Sequence, residues 1–110
     1  MKNGRPFIKM HGLGNDFVVL NGRERPVPLE PMEVQIIADR RLGIGCDQLL
    51  VMGPSDKADA FMHIFNADGT EVDACGNGAR CIAWLLMKEK GTDRVTLETN
   101  AGVLKGYDAG

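Results

Sequence analysis

Seven consecutive apolar residues, Cys81-Ile82-Ala83-Trp84-Leu85-Leu86-Met87, follow Gly76-Asn77-Gly78-Ala79-Arg80 and constrain the fold more than any other stretch. Seven residues make nearly two helical turns, so as a helix the segment presents apolar side chains in every direction. A helix of that kind has to be enclosed, which predicts it as the core around which the other elements are laid. Its N-terminal end has a different property. The first N–H groups of a helix lack intrahelical partners and carry the positive end of the dipole; they therefore favour a carboxylate or a phosphate. Gly76 and Gly78 let a ligand approach the backbone closely, and Cys75 stands immediately before them. A thiol so placed is expected to give up its proton more readily than a free one. A nucleophile or base and an anion cradle are thus predicted at one point.

A chain of 110 residues has room for one domain, taken as residues 1–110. With 13 Lys+Arg against 15 Asp+Glu the net charge is −2 and the signs are interspersed, which predicts neither a nucleic-acid nor a membrane-surface partner. The longest apolar run falls far short of the ~18–20 residues a membrane span needs. Residues 1–6 lack the apolar region of a secretory signal. Three cysteines without framework spacing argue for reduced thiols and a cytoplasmic location. His11 and His63 are far apart and no C-x-x-C or H-x-x-x-H occurs, so no metal is expected. Cys75 and Cys81, six residues apart, would point well away from each other on a helix.

Phe7–Met10 and Asp16–Leu20 are predicted as strands about the two-glycine turn of residues 11–15. Pro26, Pro28 and Pro31 mark a stiff connector to a helix over Met32–Leu42. There Val34, Ile37, Ala38 and Leu42 form the apolar stripe, and Glu33 and Arg40-Arg41 suit the dipole at the two ends. Gln48 reads as a loop hydrogen-bonder, Cys46 as a small buried residue and Leu49–Met52 as a buried strand. Ala60–Phe65 alternates as a strand, with His63 packed or solvated on one face and without a catalytic role. Asn66–Gly69 turns, Thr70–Asp73 returns to the helix, and Gly91 caps the helix C-terminus. Arg94–Thr99 and Val103–Tyr107 complete the chain as strands. The fold class is α+β, a mixed, largely antiparallel curved sheet wrapped around the central apolar helix.

Three readings compete for Gly76-Asn77-Gly78. A dinucleotide-binding turn would use Glu98, about twenty residues on, but it needs a third glycine where Cys81 stands and a strand running directly into Gly76. The robust strand ends eleven residues earlier, at Phe65. An ordinary hairpin turn beside an inert thiol would be followed by an alternating strand, and an apolar helix follows instead. The third reading is an active-site cysteine facing a carboxylate ligand.

Four segments bear on the choice: Met10-His11-Gly12-Leu13-Gly14-Asn15-Asp16-Phe17, Gly43-Ile44-Gly45-Cys46-Asp47-Gln48, Phe65-Asn66-Ala67-Asp68-Gly69-Thr70-Glu71-Val72 and Ala74-Cys75-Gly76-Asn77-Gly78-Ala79-Arg80-Cys81. In this order they closely resemble the diaminopimelate epimerase family; proline racemases share the cysteine-glycine idea but not the other three segments. The resemblance implies cofactor-independent epimerisation of LL- to meso-diaminopimelate, in lysine and cell-wall precursor synthesis, by two cysteines. It implies that Cys75 is one of the two, that Asn15, Gln48 and Asn66 bind substrate through side chains, and that Gly76 and Asn77 do so through the backbone. It also implies a homodimer of longer chains built from two similar halves. This chain would be the N-terminal half and inactive alone, with the opposing cysteine in the other. Neither Cys46 nor Cys81 is an obvious replacement. The alternative is a non-catalytic module of the same fold that binds an amino acid or carboxylate, or serves as an interaction module.

Overall fold

The computed structural model describes residues 6–12 and 14–107; Leu13 of the first turn and the two ends of the predicted 1–110 domain lie outside the described residues. The elements are β1 (Ile8–His11), β2 (Asp16–Asn21), α1 (Pro31–Ala38), β3 (Gln48–Gly53), β4 (Ala60–Asn66), β5 (Glu71–Val72), α2 (Gly76–Lys90), β6 (Arg94–Thr99) and β7 (Gly102–Tyr107). The strands form one mixed sheet in the order β1-β2-β3-β4-β6-β7, with β5 paired to β4. Four pairings are antiparallel, and two, β2 with β3 and β4 with β6, are parallel. Each parallel pair is separated in sequence by a helix, α1 in one case and α2 in the other, as a crossover connection requires.

Alternate residues of the strands feed two cores. Phe17, Val19, Leu50, Met52, Met62 and Ile64 meet Ile82 and Leu86 of α2 on one face. Val18, Leu20, Leu49 and Val51 meet Val34 and Ala38 of α1 on the other. With both faces covered, β2 and β3 are buried along almost their whole length. The α+β class with a mixed sheet is as expected, and the second core under α1 is an addition to it.

Two helix readings need correction. The first helix ends at Ala38, not Leu42: Asp39 is extended, and its carboxylate accepts the N–H groups of Arg41 (2.8 Å) and Leu42 (2.9 Å). That local turn outcompetes another helical turn and leaves Leu42 78% exposed. The second helix is not enclosed all round. Cys81, Ile82, Ala83 and Leu86 are buried, but Trp84 is 51% exposed with Lys88 Nζ 5.4 Å from its ring centroid. Apolar character on every side of a helix does not decide which sides the rest of the chain reaches. On the packed side contact is close: a Cβ on Gly106 of β7 would stand 2.9 Å from that of Ala83. Gly91 ends α2 in the left-handed conformation, φ 67°, donating its N–H to Met87 O. Among the described residues, no helix is long and apolar enough to cross a membrane.

Candidate active site

Parallel pairing of β2 with β3 and antiparallel pairing of β3 with β4 bring the start of β2, the start of β3 and the end of β4 to one end of the sheet. In register, Phe17 lies opposite Gln48 and Gln48 opposite Asn66; Asn15 precedes Phe17 by two residues. The short strand β5 then returns the chain to the N-terminus of α2 at the same end. Asn15, Gln48, Asn66 and Cys75, singled out from sequence for their side chains, are thereby gathered in one place with Asn77, singled out for its backbone, and all five are half-buried.

Cys75 is the N-cap residue of α2, extended in backbone, and its sulfur accepts the N–H of Gly78 at 3.4 Å. The thiol donates to Gln48 Oε1 at 3.1 Å, and Gln48 Nε2 donates to Asn66 Oδ1 at 3.0 Å. Asn66 continues the chain through Nδ2 to Thr70 Oγ1, 3.4 Å away. A second pair lies beside it, with Asn77 Nδ2 donating to Asn15 Oδ1 at 3.0 Å. The Gln48 amide that meets the sulfur and the Asn66 amide behind it are neutral, and the chain ends on a carboxylate, with Thr70 Oγ1 donating to Asp68 Oδ1 at 2.6 Å. Gly76 is exposed, with open space where its Cβ would be. The Gly76–Gly78 segment is the first turn of the helix itself, not a turn preceding it, so its early N–H groups face the same end as the thiol.

The other two cysteines are elsewhere. Cys46 and Cys81 are buried, one in each core, and burial pushes both thiols up. His63 is on β4, with Nδ1 3.0 Å from Glu71 Oε2 and its ring against Phe61. It is not joined to the Cys75 chain.

Beside the site, a groove of about 480 Å³ runs along α2 and is lined by Met10, His11, Gly12, Asn77, Arg80, Cys81 and Trp84. It shares Asn77 with the site but does not contain the Cys75 sulfur. Sequence reasoning missed it because it had placed Trp84 in the core. Also unforeseen is a charged cluster flanking Asn15 and Gln48. Asp16 takes Arg40 in a fork at 2.9 and 3.0 Å and Lys9 at 2.8 Å, while Arg40 also reaches Asp47 at 3.3 Å. Lys9 Nζ also donates to Gly45 O. The Arg40 guanidinium, ahead of Lys9, holds the Asp16 carboxyl far below the usual carboxylate range, and Asp16 raises Arg40 in return. The available signal was adjacency, since Asp16 follows Asn15 and Asp47 precedes Gln48.

The sequence model of the family described as "Diaminopimelate epimerase" matches residues 7–107. The chain is 54% identical over 107 residues to the diaminopimelate epimerase of Phenylobacterium zucineum, covering 97% of this chain and 39% of that one. It is 55% identical over 104 residues to that of Acidiphilium cryptum, covering 94% and 38%. The chain thus spans a little over a third of the length of these curated relatives. Among solved structures, a hydroxyproline epimerase from Agrobacterium vitis, with bound trans-4-hydroxy-L-proline, aligns with TM-score 0.68 at 18% identity, over 96% of this chain and 38% of that one. A phenazine biosynthesis protein of the PhzF family from Bacillus anthracis aligns with TM-score 0.59 at 26% identity, over 90% and 33%. The hydroxyproline epimerase alignment establishes a shared fold.

Proposed function

The chain belongs to the diaminopimelate epimerase family, and on that premise we propose that it is the N-terminal portion of a cofactor-independent epimerase converting LL-2,6-diaminopimelate to the meso form. The observation that carries the proposal is the half-buried Cys75 thiol at the α2 N-cap, within one hydrogen-bonded cluster of Gln48 and Asn66 and beside Asn15 and Asn77.

In this reading the Cys75 thiolate removes the Cα hydrogen as a proton, and the C–H electron pair passes into the conjugated carboxylate. Such a proton is very weakly acidic, so the charge has to be met where it develops. The positive end of the α2 dipole, with the Gly76 and Asn77 backbone, supplies that. Asn15, Gln48 and Asn66 orient the amino acid with neutral donors and acceptors, which avoids leaving an unpaired charge in a half-buried site. Inversion needs a proton returned to the opposite face. Cys46 and Cys81 are buried in the cores, so the second cysteine is assigned to the part of the relatives this chain does not span. The domain of residues 1–110, a cytoplasmic location and a homodimer of the complete protein belong to the same proposal.

The test is hydrogen exchange at Cα of diaminopimelate in D₂O, followed by NMR. Exchange is expected with the chain, and abolished in Cys75→Ala; inversion is expected only when the remainder of the protein is supplied. Binding without exchange, unchanged by Cys75→Ala, would instead establish a non-catalytic amino-acid-binding module.

A further inference from the structure

Asp16 and Asp47 form a reciprocal clamp. The Asp16 N–H donates to Asp47 Oδ2 at 2.9 Å, and the Asp47 N–H donates to Asp16 Oδ1 at 2.9 Å and to Asp16 O at 3.0 Å. Each carboxylate thus satisfies the other's main chain at the point where two parallel strands begin. Two carboxylates this close repel, and the cluster answers with two cations: Arg40 touches both, and Lys9 touches Asp16. The Asp16 side chain is only 13% exposed, while Arg40 is 58% and Asp47 43% exposed, so the shielded part of the cluster is the Asp16 carboxylate and the Arg40–Asp47 pair is a surface ion pair.

The clamp's neighbours give it a consequence. Asp16 is bonded to Asn15 and Asp47 to Gln48, and Gln48 holds the Cys75 S–H. We propose that Asp16 and Asp47, neutralised by Arg40 and Lys9, are positioning residues that lock the Asn15 loop to the Gln48 strand and so fix the acceptor facing the Cys75 thiol. What is being positioned rests on the site assignment made above; how it is positioned rests on the hydrogen bonds alone. The clamp is built from side chains that touch neither the sulfur nor its direct partners, so it acts only through the main chain.

Alkylation of Cys75 by iodoacetamide at neutral pH, quantified by mass spectrometry, reads the thiol without any substrate. Cys46 and Cys81 are buried and serve as internal references. The S–H held on Gln48 must be released before the sulfur reacts. Asp47→Ala is therefore expected to raise the Cys75 rate about 3- to 10-fold, the worth of one hydrogen bond, as Gln48→Ala does. The double variant is expected to react no faster than Gln48→Ala, because the clamp works through Gln48. Asp47→Asn keeps an oxygen for the Asp16 N–H and is expected to hold the wild-type rate. Arg40→Gln, which keeps both carboxylates, supplies a second route should Asp47→Ala fail to fold, with a smaller rise in the same direction. Asp59→Ala is the control for mere destabilisation. Asp59 accepts the Thr96 N–H at 2.7 Å and pairs with Lys90 at 3.0 Å, at the opposite end of β4. It should lower the urea midpoint and leave the Cys75 rate alone. An unchanged rate in the clamp variants, an additive effect in the double variant, or an equal rise in Asp59→Ala would each overturn the proposal. The epimerase reading fails separately, through absence of Cα exchange.

Discussion

Truncating two neighbours on α2 separates a side chain held by the core from one that merely looks as if it should be. Ile82 is 0% exposed and surrounded by the β2, β3 and β4 residues of the larger core. Ile82→Ala removes three carbons from a site that cannot collapse fully, at a cost of about 2–5 kcal/mol. A central loss of about 3 kcal/mol lowers Tm by roughly 12–20 °C in a domain of this size. Trp84 is larger but 51% exposed. Full burial of a large apolar side chain is worth about 1.5–3 kcal/mol, so half burial leaves about 0.8–1.5, and an exposed contact with Lys88 adds about 0.5. Trp84→Ala opens no enclosed cavity and is expected to cost about 1–2 kcal/mol in all. The order therefore runs against side-chain size. Urea unfolding followed by far-UV circular dichroism measures both variants without using the indole as probe, with equal m-values required for the comparison. If Trp84→Ala costs as much as Ile82→Ala, the one-sided packing of α2 described above is wrong.

Two further outcomes follow from particular atoms. Gly69 has φ +93°, and a Cβ there would stand 2.6 Å from the backbone oxygen of Pro31; Gly69→Ala should lose about 2 kcal/mol or more by urea titration, through the turn that follows Asn66. Asp16 titrates far more readily in the unfolded chain than in the fold, where Arg40 and Lys9 keep it ionised. The unfolded state therefore takes up protons first as pH falls. The stability Asp16 contributes is complete above about pH 4 and is lost progressively below that. Asp16→Asn should be less stable at neutral pH and show a shallower acid limb in pH-dependent unfolding. A limb as steep as that of the wild type would show that other carboxylates carry the effect, with Asp59 and Asp68, both also held low by their hydrogen bonds, the first to examine.

What the sequence could reveal divides along physical lines. Elements specified by local chemistry were legible: the alternation of Ala60–Phe65, the Asn66–Gly69 turn, the Gly91 cap, and Cys75 at the start of a helix. The co-location of Asn15, Gln48, Asn66 and Asn77 with Cys75 came from the resemblance, since no local pattern links residues up to 62 positions apart. The parallel pairing of β2 with β3 was not legible, because a pairing across α1 is chosen by both cores together. The early end of α1 was hidden because Asp39 capping its own following N–H groups competes with a continuing apolar stripe. Trp84 misled for a related reason: hydrophobicity states what a side chain prefers, while exposure depends on what arrives to cover it. The Asp16–Asp47 clamp is a long-range exchange between two unremarkable residues, visible only once the strands are paired.

The half-open indole has a practical corollary. The chain contains a single tryptophan, and it lines the groove that shares Asn77 with the cysteine site. Its emission colour reports the polarity of that one location, with no competing fluorophore of its kind to subtract. Whatever settles over the groove, whether a small molecule or another stretch of polypeptide, would strip water from the ring and move its spectrum to the blue. The protein thus carries a built-in optical gauge for occupancy beside its thiol, ready for use without labelling.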